Sequence, residues 1–393
     1  MNMITVADAS DFIRGITFKP HELIDISDSD AIVCMRTKNI QADLDQRDLI
    51  AVPSRLVRQE QKLLRAGDIL ISSANSWELV GKCSFVPELP YRATAGGFIA
   101  IVRPKPRTHP RFLYHWLNSP ATQHMIRNMG RQTTNISNLD VNRFKEIKLP
   151  AYGFDQQCRI AAILDKADTV RRKREQAVTL ADDFLRSLFL EMFGDPLTNP
   201  KKLPIQPLGK FGRIVTGNTP PRSDPANFGD AIEWIKSDNV NTNEHFLTRA
   251  VEGLSDKGRS LGRIVPKGSI LVTCIAGSPS SIGRAAIANR PVAFNQQINA
   301  IIPNPDVNAY FLYVQFLIGK QLVLRSSTNS MKGMISKGEF QKIEFLRPDP
   351  HDQARFGKTF EKHVAANNRL LDQKVMASDL FAALSQRAFA GDL

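Results

Sequence analysis

Two stretches of this chain, about two hundred residues apart, carry the same landmarks in the same order, and that repetition limits the possible folds more than any other feature. The first contains Arg65-Ala66-Gly67-Asp68-Ile69-Leu70-Ile71-Ser72, a polar loop, and Gly81-Lys82; the second contains Pro266-Lys267-Gly268-Ser269-Ile270-Leu271-Val272-Thr273, a polar loop, and Gly283-Arg284. Gly67 and Gly268 stand 201 positions apart and Gly81 and Gly283 stand 202 apart, so the loops between them differ by one residue. Gly97-Phe98-Ile99-Ala100-Ile101-Val102 then matches Gln297-Ile298-Asn299-Ala300-Ile301-Ile302, and Phe112-Leu113-Tyr114 matches Phe311-Leu312-Tyr313. Phe144-Lys145-Glu146-Ile147 matches Phe340-Gln341-Lys342-Ile343, and Pro150 and Pro348 close the two segments. An ordered series with so little length drift implies duplication, hence two homologous halves.

Each half reads as mixed structure. Short apolar runs such as Ile32-Val33-Cys34-Met35 and Ile69-Leu70-Ile71 are cut by Gly, Pro and Asn/Asp, which predicts strands, and Phe112, Leu113, Trp116 and Leu117 fall at helical spacing around residues 110–127. Residues 154–193 contain no Gly or Pro. Ile163, Ala167, Val170, Arg174, Ala177, Ala181, Phe184 and Leu188 step by four and three, the pattern of a coiled-coil seam. Such a helix would be roughly 60 Å long. A second helix over about 352–389 carries Phe356, Phe360, Val364, Leu371, Val375, Phe381 and Leu384, with Asn367 and Lys374 interrupting a strict heptad. Antiparallel pairing of the two would bury both stripes and relate the halves by an approximate twofold.

The expected class is therefore α+β. Two repeated mixed α/β domains, 1–150 and 203–349, alternate with a central helix and linker, 151–196, and a C-terminal helix, 350–393. Gly194-Asp195-Pro196 ends the central helix because neither Gly nor Pro continues one well.

At 393 residues the chain suffices for two cores. Its 52 Lys+Arg against 39 Asp+Glu leave a net charge of +13, which favours a polyanionic partner such as nucleic acid. Cys34, Cys83, Cys158 and Cys274 are scattered without zinc-type spacing, so a reducing cytoplasm is expected. Met1 to Phe12 lack a basic start before an apolar run, and no run of about eighteen apolar residues occurs, so neither a secretory leader nor a membrane span is expected.

Catalytic motifs are missing. There is no Walker phosphate loop and no H-E-x-x-H, and His21, His109, His115, His124, His245, His351 and His363 show no metal-ligand spacing. Asn199-Pro200 is followed by Lys201-Lys202, where an amino-methyltransferase motif would need a second Pro and an aromatic. No catalytic residue, cofactor site or metal site is expected in the chain itself.

Polar segments at matched places offer a binding surface instead. Ser72 to Glu78, with Ser73, Asn75 and Trp77, corresponds to Thr273 to Ser281, with Ser278, Ser280 and Ser281. Arg36-Thr37-Lys38-Asn39 corresponds to Lys236-Ser237-Asp238-Asn239. Arg forks onto guanine, Asn onto adenine and Lys onto phosphate or guanine, which makes Arg36, Lys38, Asn39, Lys236, Ser237 and Asn239 candidates for DNA contact. Before the last strand of each half, Arg131, Gln132, Thr133 and Asn135 correspond to a segment holding Asn329 and Lys332, both suited to phosphate positioning or base reading. Arg171-Arg172-Lys173-Arg174 reads as a solvated helix face, and Trp116 and Trp234 as core.

Taken together, the doubled Gly-Asp/Ser-Ile-Leu strand, the long helix after each copy, Met192-Phe193-Gly194-Asp195-Pro196, the terminal Ala388-Phe389-Ala390-Gly391-Asp392-Leu393 and Phe211 to Pro221 resemble the specificity subunits of type I restriction-modification systems. The first copy departs at Phe12 to Phe18, which lacks the Gly-x-Thr-Pro-Pro form of Gly217 to Pro221. The resemblance implies two target-recognition domains that each read half of a bipartite DNA site, with the helices as a ruler. It also implies two modification subunits that bind S-adenosylmethionine, and restriction subunits that use ATP and Mg. A DNA-modifying enzyme with an unrecognised site and a protein-binding scaffold are the alternatives.

Overall fold

The computed structural model describes residues 2–129, 131–132, 136–278, 280–326 and 333–393. Two compact units emerge, one of residues 1–175 with 372–393 and one of residues 176–371.

In the first unit, an antiparallel sheet runs in the order Ser10–Arg14, Ile99–Pro104, Ile69–Ser72, Cys83–Phe85. A second sheet places Ala31–Met35 between Ile50–Pro53, antiparallel, and Ala93–Ala95, parallel. Both faces of the main sheet are covered. Ile69, Ile71, Ala100 and Val102 face a core with Phe112, Trp116, Leu117 and Phe144, whereas Leu70, Ile99 and Ile101 face a second one with Val33, Met35 and Ile40.

The second unit repeats the plan. Its sheet runs Gly212–Thr216, Ile298–Pro303, Ile270–Thr273, Ala285–Ile287, and Phe228–Ile235 pairs in parallel with Val292–Phe294. Gly67 and Gly268 turn the chain into matching strands with φ of 91° and 90°, a left-handed backbone that costs glycine little.

The central pair of strands corrects the sequence alignment by one residue. Ser72 pairs with Ile99 and Thr273 with Ile298, so Ile99 corresponds to Ile298 and not to Asn299. These strands are buried on both faces, so no polar alternation fixes their register in the sequence.

Both long helices form, over Phe154–Phe193 and Pro350–Ala390. They pack antiparallel. In the first unit the Tyr152 hydroxyl donates to the Ala388 carbonyl at 2.8 Å, while Glu175 lies 3.9 Å from Lys374. In the second unit the Asn367 amide donates to Asp182 at 3.3 Å, and the Phe189 and Phe356 rings meet at 5.4 Å.

The expected heptad seam is displaced. Val170 and Phe184 are 47% and 58% exposed, while Ile160, Ala161, Leu164, Leu185, Phe189 and Phe193 are buried. The reason is that the central helix packs on sheet-domain side chains as well as on another helix. Ile160 and Leu164 join the core of Phe112, and Phe189 and Phe193 join that of Phe311.

Candidate nucleic-acid interface

In each half the backbone brings together polar segments that lie far apart in sequence. Ala74–Asn75 pairs with Ser137–Asn138, which pairs in turn with Arg131–Gln132. The loop around Asn75 and the segment before the last strand thus form one ribbon. In the second half Ile275–Ala276 pairs with Gly333–Met334, joining the loop that holds Ser278, Ser280 and Ser281 to the corresponding segment. Thr133, Asn135, Asn329 and Lys332 lie outside the described residues, and of Arg131 and Gln132 only the strand is described.

The third segment converges on the same place. Thr37, Asn75, Ser76, Phe98 and Ile136 line a concavity of about 290 Å³ in the first half. Phe98 is 64% exposed, an unusual position for a large aromatic ring. In the second half the Ser237 hydroxyl donates to Gln297 at 3.4 Å, and the Asn295 amide donates to the same oxygen at 3.0 Å.

Phe98 and Gln297 are structural counterparts that sequence reasoning missed. The Phe98 carbonyl accepts from the Ser73 and Ala74 amides, as the Gln297 carbonyl does from Cys274 and Ile275. Their side chains therefore leave the same scaffold position with different chemistry. Only the one-residue register correction reveals the pairing, because the uncorrected alignment sets Phe98 against Ile298.

Several expected contact residues have other work. Asn39 is buried, its Oδ1 accepts from the Arg36 amide at 2.8 Å, and its Nδ2 donates to the Asp45 carbonyl at 2.8 Å. Asn239 repeats this, accepting from the Lys236 amide at 3.0 Å and donating to the Arg249 carbonyl at 3.1 Å. These amides lock a loop, so the expectation that they read adenine is corrected. Arg36 and Lys38 both pair with Asp48, and Lys236 pairs with Glu252 at 2.5 Å while lying over the Trp234 ring. Such partly exposed pairs are modest and exchangeable, so these three cations stay available to a phosphate.

The remaining candidates are placed as follows. Trp77 is 41% exposed beside Asn75, whereas Trp116 and Trp234 are buried. Ser73 is half-buried, and its carbonyl accepts from the Leu139 amide at 2.9 Å. Ser278 and Ser280 are exposed with their hydroxyls 2.6 Å apart, and the Ser281 amide donates to the Ser278 carbonyl at 3.0 Å. Arg172 is no solvated side chain, since it bonds Asp168 at 2.7 Å and pairs with Asp43.

Three of the four cysteines are buried and offer no nucleophile. Burial pushes the Cys34 and Cys274 thiols up to about 12 and raises Cys83 as well, leaving them protonated. Spacing along the chain does not show which ligand-type side chains meet in space. Asp182, His245 and His363, unrelated in spacing, come together with ligand atoms within 4.8 Å of one another.

Two mixed-structure units built on one plan, each with a long helix and a convergent polar edge of differing content, define a duplicated recognition protein. Residues 14–180 and 200–375 each match the family described as the type I restriction modification DNA specificity domain, and the chain belongs to that family. It is 26% identical over 198 residues to the StySPI specificity subunit of Salmonella potsdam, covering 49% of this chain and 42% of that one. It is 31% identical over 160 residues to the HindI specificity subunit of Haemophilus influenzae, covering 38% and 32% respectively. The matches thus span less than half the length of these curated relatives. The crystal structure of a type I S subunit from M. genitalium shares the fold with a TM-score of 0.60 at 12% identity, covering 99% of this chain and 96% of the other. Among the described residues, no helix is long and apolar enough to cross a membrane.

Proposed function

We propose that this chain is the DNA-reading subunit of a type I restriction-modification complex, with each unit recognising one half of a bipartite site. The convergence of three polar segments on equivalent edges of the two units, with unlike side chains at equivalent positions, is the observation that carries this reading. Equal scaffolds with unequal edges suit two different half-sites. The net charge of +13 supplies long-range attraction to phosphate. The antiparallel helices act as the ruler, since half-sites read from one face of a duplex lie about one helical turn, roughly 34–36 Å, apart.

The helices also dock the methyltransferase subunits. Val375, Met376 and Leu380 in the first unit, and Leu180 and Phe184 in the second, are large apolar residues left exposed on helical surface. Within each unit, exposed apolar residues one helical turn apart, Met376 with Leu380 and Leu180 with Phe184, suit an interface. Bond chemistry then belongs to the partners, with S-adenosylmethionine on the modification subunits and ATP and Mg on the restriction subunits. The complex works in the cytoplasm, where the cellular DNA is.

Replacing 277–281 with the corresponding first-half loop tests independent reading, because these residues leave the buried strand Ile270–Thr273 intact. The second half-site is expected to change while the first stays. A simultaneous change in both would overturn the reading, and so would duplex binding that does not weaken with salt.

A further inference from the structure

We propose that Asp182, His245 and His363 form a binding site for one divalent transition-metal ion of the zinc class, which staples a loop of the second unit to both long helices. Asp182 comes from the central helix, His363 from the C-terminal helix, and His245 from the loop that follows Ser237–Val240. Asp182 Oδ1 lies 3.5 Å from His363 Nε2 and 3.9 Å from His245 Nε2. A tetrahedral ion with bonds of about 2.0–2.1 Å holds its ligand atoms about 3.3 Å apart, so the two separations from Asp182 need only modest closure. Two imidazoles and a carboxylate with one open position is an ordinary zinc donor set.

The second observation is an orphaned ring nitrogen. His363 is more than nine-tenths buried, and its Nε2 has no hydrogen-bond partner although it faces the carboxylate. A buried polar atom without a partner is destabilising, and a bound ion would remove that cost. His245 Nδ1 lies 3.1 Å from the Tyr313 hydroxyl, and an N–H donated there leaves the Nε2 lone pair facing Asp182, the ligating tautomer. Asn367 donates to Asp182 at 3.3 Å and orients the carboxylate. Asp182 is 50% exposed and, with His245, borders a concavity of about 570 Å³, which gives an ion its way in.

The first half shows what this place does without a metal. There Arg172 from the central helix pairs with Asp43, bonds Asp168 at 2.7 Å, and donates to the Ala42 carbonyl at 3.1 Å. That carbonyl also accepts from Tyr114, the counterpart of Tyr313. A guanidinium thus ties the loop to the helix in one half. In the second half two imidazoles and a carboxylate meet there instead. Counting from the matching Gln157 and Gln353, which accept from the amides of His109 and Asn308 at the starts of the helices Pro110–Leu117 and Ala309–Ile318, the residue equivalent to His363 is Ala167. The site is therefore particular to the second half.

Equilibrium dialysis of the chelator-stripped full chain against Zn²⁺ at neutral pH, paired with Co²⁺ absorption spectra, tests this. One saturating ion per chain is expected, with tetrahedral Co²⁺ bands. His245→Ala and His363→Ala should each weaken binding by about 100-fold or more, and abolish the rise in melting temperature that Zn²⁺ gives the unaltered chain. Asp182→Asn keeps the side chain's shape and should weaken binding too, so the result does not depend on how the alanine variants fold. His115→Ala should leave binding intact. Absence of a saturable site, or a site that survives all three ligand substitutions, would overturn the proposal. Neither result bears on DNA reading.

Discussion

Phe98 and Gln297 occupy one position on two copies of a scaffold. The main-chain carbonyl of each accepts two successive amides, Ser73 and Ala74 in the first half and Cys274 and Ile275 in the second, so the two side chains leave equivalent points. An exposed aromatic ring suits the methyl group of thymine or a base face, whereas the carboxamide, whose Oε1 accepts from Ser237 and Asn295, presents its Nε2 as a donor to a base-edge acceptor. Phe98→Ala is expected to relax discrimination at a base of the first half-site only, and Gln297→Ala at a base of the second only, each by about 1–3 kcal/mol. Binding to duplexes varied one base at a time checks both, with unchanged thermal stability of Phe98→Ala as the control.

Gly15 and Gly217 hold the edge strand of each half against its neighbour. The amide of Gly15 donates to Ile99 at 3.0 Å and that of Gly217 to Ile298 at 3.1 Å. An added Cβ would stand 2.2 Å from the Gly96 oxygen in one case and 2.1 Å from the Asn295 oxygen in the other. Backbone must then move. Gly15→Ala and Gly217→Ala are each expected to destabilise the chain by about 1–3 kcal/mol or more, read as a lower melting temperature.

Asn39→Ala and Asn239→Ala should behave as folding lesions. Each removes an amide that bridges loop backbone groups, at a cost of about 1–3 kcal/mol for the partners left unsatisfied. Asn39→Asp should also destabilise, because a carboxylate cannot donate to the Asp45 carbonyl. Denaturation midpoints should fall while the base preference of the residual binding is unchanged; altered preference at full stability would restore these residues to the reading surface.

Acid should loosen the join, within the first unit, between the central helix and the helix Pro110–Leu117. Burial pushes the Asp165 carboxyl up, but hydrogen bonds from His115 and Arg111 outweigh it and hold the group at about 2. An unfolded Asp titrates near 3.9, so the folded state is favoured above about pH 4, and the contribution is lost as pH falls toward 2. The effect is modest because Asp165 is partly exposed. Asp165→Asn should lower stability at neutral pH and flatten its decline across that acid range, measured by urea denaturation at several pH values.

Much of the architecture was legible because duplication left landmarks that local physics requires. Gly67 and Gly268 share a left-handed turn, and Phe144 and Phe340 are both fully buried on helices capped by Asp140 and Ser336. Register was less legible. Ile99 and Ile298 lie in strands apolar on both sides, where a shift by one residue changes no pattern. The helix seam was misplaced because Leu164 and Phe189 answer to sheet-domain cores as well as to a second helix. The glycine of the second half's Gly-x-Thr-Pro-Pro segment has its counterpart in Gly15, although the residues after it differ. Side-chain roles were least legible, since Asn39 looks like a base reader until its partners across the loop are known. His245 and His363 meet only through the tertiary fold, and no spacing announces them.

Independent reading by the two halves is tested most directly by co-expressing the chain with its methyltransferase subunits and mapping methylated adenines across the genome, with and without the 277–281 exchange. A split motif with an unspecified middle should appear, vanish when the chain is deleted, and change in one half alone on exchange. Methylation that persists without the chain, or a motif whose halves change together, would contradict it.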